Sequence, residues 1–170
     1  MLQIHYSPGT TELAAKDHRL LAAVRDRVAA AHPHGPTPTQ LVLSDDDHLQ
    51  RLNVQYRGKD APTDVLSFDY RTQSPPAPGV APIEGEVYIS MDRARQQAAD
   101  QGVALVVEVA RLAVHGLLHL AGRDHDTPEK LHAMEIETDI LLKQAGVGDV
   151  PHASIDAPQT ALAGGVPRKE

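Results

Sequence analysis

One helix-length run constrains this chain more than any other part of it. Between Ala104 and Ala121 the only polar side chains are Glu108, Arg111, His115 and His119; the rest are Leu, Val, Ala or Gly. At about 100° per residue those four share one narrow stripe of a helix. A helix of that composition is buried nearly all round, so its stripe must face groups that satisfy it. His115 and His119 stand four residues apart, one turn on the same face. Gly122 is placed to end the helix with a positive φ, and a turn there swings His125 back toward the pair. Three neutral imidazoles converging on one point make an open zinc site, with a fourth position left for water. The plainer alternative is a set of core histidines donating to backbone carbonyls, beside a Glu108–Arg111 pair spaced i,i+3. Three histidines at this spacing, with the glycine in place, favour the metal.

The remaining composition narrows the setting. A chain of 170 residues buries a sizeable core without disulfides, and with no cysteine it has neither a disulfide framework nor a Cys-type zinc site. One domain is expected over residues 1–150, followed by a disordered tail over 151–170, where periodicity is lost. Met1–Tyr6 lacks a basic region followed by an apolar run, and no apolar stretch has the length of a bilayer span, so a soluble cytoplasmic protein is expected. The net charge of −7 argues against nucleic-acid binding through the global field. A nucleic-acid substrate would need a local basic surface instead.

Along the chain, Leu2–Ser7 reads as a strand, and Thr10 or Thr11 as the cap of a helix running to about Ala31. His32 and His34 sit in a proline-rich loop and read as a solvated turn rather than a metal tract. Gln40–Leu43 is a second strand. Ser44 is then expected to cap a helix with Asp47 as its capping-box acid, and the acids Asp45–Asp47 suit the helix dipole. That helix carries Leu49, Leu52 and Tyr56 inward and stops at Gly58. Val65–Phe68 and Glu86–Ile89 are strands separated by a proline-rich loop over Arg71–Gly85. Met91–Asp100 is helical, then comes the histidine helix, and Thr127-Pro128-Glu129 opens a last helix to about Ala145. The expected architecture is α+β: a small mixed sheet of about four strands packed with about five helices, the metal site on a buried helix.

The spacing His-x3-His-x2-Gly-x2-His is shared with metzincin-type peptidases. Those carry a glutamate directly after the first histidine as general base, and here that position is Gly116. Glu108 is no substitute, because seven residues of helix place it about 10 Å along the axis from His115. Phosphodiester cleavage suits the inventory better, since a phosphoryl group needs electrostatic clamping more than a strong base. Arg57 and Lys59 flank Gly58 at a helix end, where backbone approaches a phosphate closely, and Tyr56 and Phe68 are candidates to stack on a base. Cations near a helix C-terminus are equally expected on dipole grounds alone. Asp124 and Asp126 flank His125; either is placed to orient a ligand histidine through its second nitrogen, or simply to cap the next helix.

Two signatures in order, Tyr56-Arg-Gly-Lys-Asp60 with Pro62-Thr-Asp-Val-Leu-Ser-Phe68, and His115-Gly-Leu-Leu-His-Leu-Ala-Gly-Arg-Asp-His125, resemble the YbeY family of bacterial rRNA maturation factors. The resemblance runs from the first strand to about Ala145. It implies a zinc-dependent endoribonuclease specific for single-stranded RNA, acting in maturation of the 16S rRNA 3′ end and in ribosome quality control on the small ribosomal subunit. It makes His115, His119 and His125 the zinc ligands and Arg57 the basic residue needed for activity. A substrate-binding role for Lys59 goes beyond the resemblance. Glu86 stands where the family usually has aspartate, Asp69 where proline often follows Ser-Phe, and Arg123 where an aromatic residue or histidine is common. A metzincin-like peptidase, and a noncatalytic ribosome-binding factor with a structural metal, remain the alternatives.

Overall fold

The computed structural model describes residues 2–72, 82–148 and 162–163. The elements are β1 (Gln3–Tyr6), α1 (Ala15–Ala31), β2 (Thr39–Ser44), α2 (Asp46–Arg57), β3 (Val65–Asp69), β4 (Gly85–Ser90), α3 (Met91–Gln101), α4 (Leu105–Leu120), α5 (Pro128–Gln144) and β5 (Leu162–Ala163). The sheet order is β1-β2-β4-β3-β5. β1, β2 and β4 are mutually parallel, β3 is antiparallel to β4, and β5 lies parallel to β3 with Leu162 opposite Phe68. The architecture is therefore the expected α+β mixed sheet with five helices. To the four expected strands it adds the two-residue β5, which comes from the segment read as tail; the rest of 151–170 lies outside the described residues, as does most of the proline-rich loop.

Alternation along the strands sorts side chains to two faces. Leu41, Leu43, Val65, Val87 and Ile89 join the larger core with α4, α1, α5 and the buried side of α3. Leu66, Phe68 and Tyr88 point the other way and pack under Leu49 and Leu52 of α2. Val147, beyond the last helix, is also part of the larger core: its N–H bonds the Leu142 carbonyl at 2.9 Å and Gly146 turns the chain with φ 89°.

Two helix starts differ from expectation. α1 begins at Ala15 without a side-chain cap, because Thr10–Leu13 is held otherwise: Thr10 N–H bonds the Ser7 carbonyl and Leu13 N–H bonds the Tyr6 hydroxyl. α2 is capped by Asp45, which accepts from His48 N–H at 2.7 Å, and not by Ser44. Ser44 is paired within β2, and its hydroxyl is committed to Ser7 Oγ and the His48 ring, each at 2.7 Å. Asp46 accepts from Ser90 Oγ at 2.6 Å, so the acidic run is spent on helix starts. His32 closes α1 and meets Glu137 of α5 at 2.7 Å. No single helix among the described residues is long and apolar enough to cross a membrane.

Candidate metal centre

Thirteen consecutive residues of α4, Glu108–Leu120, are buried. The helix lies close to the sheet because residue 116 has no side chain. A Cβ there would stand 2.5 Å from Val87 Cγ1 and 2.9 Å from Ser67 Oγ, and Ser67 Oγ donates to the Gly116 carbonyl at 3.0 Å. The position that carries the general base in metzincin-type peptidases is therefore packed against β3 and β4, and a glutamate has no room in it. The helix ends as the sequence indicates: Gly122 has φ 87°, its N–H bonds the His119 carbonyl, and Arg123 N–H bonds the Leu118 carbonyl, both at 2.9 Å. This turn returns the chain so that His125 meets the other two histidines.

The three rings converge. Centroids lie 4.6 Å (His115–His119), 5.1 Å (His115–His125) and 4.9 Å (His119–His125) apart, and one nitrogen from each lies within 4.8 Å of the others. All three residues are buried. His115 Nε2 and His119 Nε2 face each other at 3.0 Å, and the buried His125 Nε2 has no hydrogen-bond partner among the described residues. A buried ring nitrogen without a partner is costly. A tetrahedral ion with metal–nitrogen bonds of about 2.0–2.1 Å separates its ligand nitrogens by about 3.3 Å; His115 and His119 already stand at 3.0 Å, and the third nitrogen lies within 4.8 Å of both.

The electrostatics prepare the rings for it. Burial, reinforced by His119, His125 and Arg111, holds His115 far below the usual imidazole range. Burial and the neighbouring His125 push His119 down to about 4, against the Arg123 carbonyl, which favours its charged form. His115 and His119 are thus neutral near pH 7, as metal ligands must be. His119 Nδ1 lies 2.9 Å from the Arg123 carbonyl oxygen, so Nδ1–H donates there and Nε2 keeps its lone pair. Neither flanking acid does this. Asp124 accepts from His125 N–H at 2.8 Å, and Asp126 pairs with Lys130.

Arg57, half-buried at the end of α2, lies close enough that its charge helps depress His119. Gly58 closes the helix with φ 65° in the left-handed region, as the sequence indicates. Asn53 organises the chain just beyond this cap: its carbonyl accepts from Lys59 N–H at 3.3 Å and its Nδ2 donates to the Ala61 carbonyl at 2.8 Å. Arg57 thus lies within electrostatic reach of His119. Lys59 is exposed, and among the described residues no contact joins its side chain to the cluster. Phe68 is fully buried, edge-on to Tyr56 at 5.0 Å and to Tyr88 at 5.5 Å, so the expectation that it stacks on a base is corrected. Glu86 accepts the Tyr70 hydroxyl at 2.7 Å and the Tyr88 hydroxyl at 3.0 Å. Asp69 pairs with Arg71, and Arg123 pairs with Glu137 at 3.1 Å. Sequence reasoning missed Asn53 and Asp64, both buried; no pattern distinguishes a buried Asn or Asp from an exposed one.

Fold and site together define an α+β protein with a buried three-histidine centre able to hold a metal ion, within electrostatic reach of an arginine. The family model for Endoribonuclease YbeY matches residues 10–146, and the chain belongs to that family of endoribonucleases. An Endoribonuclease YbeY of Moorella thermoacetica is 41% identical over 146 residues, covering 83% of this chain and 90% of the relative. That of Geobacillus thermodenitrificans is 35% identical over 153 residues, covering 86% and 97%. A relative from Rhodopseudomonas palustris is 38% identical over 122 residues, covering 72% of this chain but only 64% of its own length. The solution structure of TM1509 from Thermotoga maritima shares the fold, with a TM-score of 0.52 at 24% identity over 85% of this chain and 89% of that one.

Proposed function

We propose that this protein is a zinc-dependent endoribonuclease that cuts single-stranded RNA, with the 3′ end of 16S rRNA on the small ribosomal subunit as its substrate, in maturation and quality control in the cytoplasm. The observation that carries the reading is the buried His125 Nε2, without a partner among the described residues, beside His115 and His119 in a member of this family. His115, His119 and His125 would hold the ion. When bound, zinc polarises a phosphoryl oxygen and lowers the pKa of a water in its open position toward 7.

The chain's own residues supply the rest. Neutral His115 and His119 bring no competing positive charge to the ion, and the Arg123 carbonyl keeps His119 in one tautomer. Arg57 holds substrate phosphate and balances the charge that develops as the ester breaks. Burial lowers its pKa, and an arginine remains charged nonetheless. Lys59 extends the basic surface along the RNA backbone. That local pair is the counterpart to a chain of net charge −7. The residues 1–150 act as the catalytic domain. The packing of Gly116 against the sheet weighs against the peptidase alternative.

The test is cleavage of single-stranded 16S 3′-end RNA by wild type, His115→Ala and Arg57→Ala, with bound metal quantified in each. His115→Ala is expected to lose metal and activity together. Arg57→Ala is expected to keep its metal and cleave about 10²-fold more slowly, the usual cost of removing one transition-state donor. Equal cleavage by all three would overturn the proposal.

A further inference from the structure

The polar stripe of α4 does not end at its histidines. One turn before His115, Arg111 is 5% exposed, and its Nε donates to Glu108 Oε2 at 2.9 Å; Glu108 is 0% exposed. Gln101 of α3 also reaches Glu108 Oε2, at 3.4 Å. At the start of β3, Asp64 is 2% exposed; its Oδ2 accepts from Gln97 Nε2 at 3.2 Å, and its Oδ1 has no partner among the described residues. Burial pushes the Asp64 carboxyl up, and the Gln97 hydrogen bond and the Arg111 charge oppose that rise; the same Arg111 charge helps depress His115. Arg111 is therefore paired with Glu108 away from water, one helical turn before the first histidine of the centre, and its charge reaches the buried Asp64 carboxylate.

The position of Arg111 poses a problem for a cation site. Four residues of helix place it about 6 Å along the axis from His115, and in a dry interior a full charge at such a distance is weakly screened. Left uncompensated, Arg111 would oppose the arrival of a divalent ion. Asp64 and Glu108 supply the compensation from two different elements, and Asp64 lies on the segment that leads from Arg57 into β3. We infer that Glu108 and Asp64 are positioning residues whose charge neutralises Arg111 and so sets the affinity of the three-histidine centre for a divalent cation. They act through Arg111 and touch neither the ion nor RNA. The inference rests on the reading that the three histidines bind metal.

The experiment strips the full-length protein of metal and titrates it with Co²⁺ alone, reading the dissociation constant and the visible absorption of the bound ion, with circular dichroism to check folding. The proteins are wild type, Glu108→Gln, Asp64→Asn, the double variant Glu108→Gln/Arg111→Met, and His115→Ala. Both single variants are expected to bind Co²⁺ about 10- to 100-fold more weakly, the range for loss of an outer-shell partner. The double variant, with the charge removed from both members of the pair, is expected to recover most of that affinity. A merely structural role predicts the reverse, because the double variant loses two buried groups. Wild-type affinity in the single variants overturns the inference, as does a folded double variant no tighter than Glu108→Gln. If both single variants unfold without metal, the pair holds the fold rather than the ion, and the inference also falls. His115→Ala separates the two readings: Co²⁺ binding there as tight as in wild type rejects the metal centre itself.

Discussion

The two faces of the sheet do different work with the same strands. On one face, α4 is buried over thirteen consecutive residues, and the polar groups it buries are paired or converge on one point. On the other, α2 is the one helix among the described residues that covers a small aromatic cluster around Phe68, and its C-terminal end leaves Arg57 and Lys59 in or near solvent. β3 serves both: Ser67 holds the backbone of α4 while Leu66 and Phe68 hold α2. The difference teaches that the three histidines, which must be held in fixed mutual positions, sit on the heavily packed side, while the end of α2 that carries the basic residues belongs to the lightly covered one.

Substitutions can break that division or sharpen it. Phe68→Ala empties the centre of the aromatic cluster, and a loss of about 3–5 kcal/mol is expected in denaturant unfolding, with metal stoichiometry unchanged. Release of metal by that variant would show that the two faces are not separable.

A second effect belongs to the α4 face alone. In metal-free protein His119 titrates near 4, against 6.5 for an ordinary histidine. The unfolded chain therefore binds protons first as pH falls, and stability present above about 6.5 is lost between there and about 4. For this residue the loss is about 3 kcal/mol, at 1.36 kcal/mol per unit. His115, depressed further, adds to it in the same direction. Unfolding of the metal-free protein followed from pH 7 to 4 checks this, and replacing His119 by Asn should flatten the slope.

Gly116→Ala puts a methyl group into the contact between α4 and the sheet, and a cost of about 1–3 kcal/mol is expected in thermal unfolding. A neutral outcome would mean that Val87 and Ser67 move aside and that the close approach is not what places the histidines. The smallest effect is expected at Lys59. Lys59→Ala should weaken RNA binding by about a single phosphate contact, read as a reduced salt slope, with metal content and stability unchanged.

Much of the site was legible because its signal is local. His115 and His119 share a helix face through a four-residue spacing, and Gly122 marks the turn that delivers His125, so sequence periodicity alone reaches the centre. Helix α5 was readable for the same reason, from Thr127 and Pro128 at its start. The start of α2 was misplaced by one residue because Ser44 and Asp45 are both good caps, and only pairing of Ser44 into β2 decides between them. Phe68 looked like an exposed stacking ring because an aromatic residue beside basic ones has the same letters whether it faces RNA or the underside of a helix.

The sequence by itself determined the α+β class, the helix that is buried all round, the three histidines and the family. Each depends on spacing along one segment or on a motif read in order. Tertiary structure decided which partners those residues meet: the Arg123 carbonyl rather than Asp124 or Asp126 on the ring of His119, the strand contact that excludes a side chain at Gly116, and the bond from Gln97 to the buried Asp64. These are contacts between elements distant in the chain or between a side chain and backbone. Backbone carbonyls and close approaches leave no pattern in one-dimensional sequence.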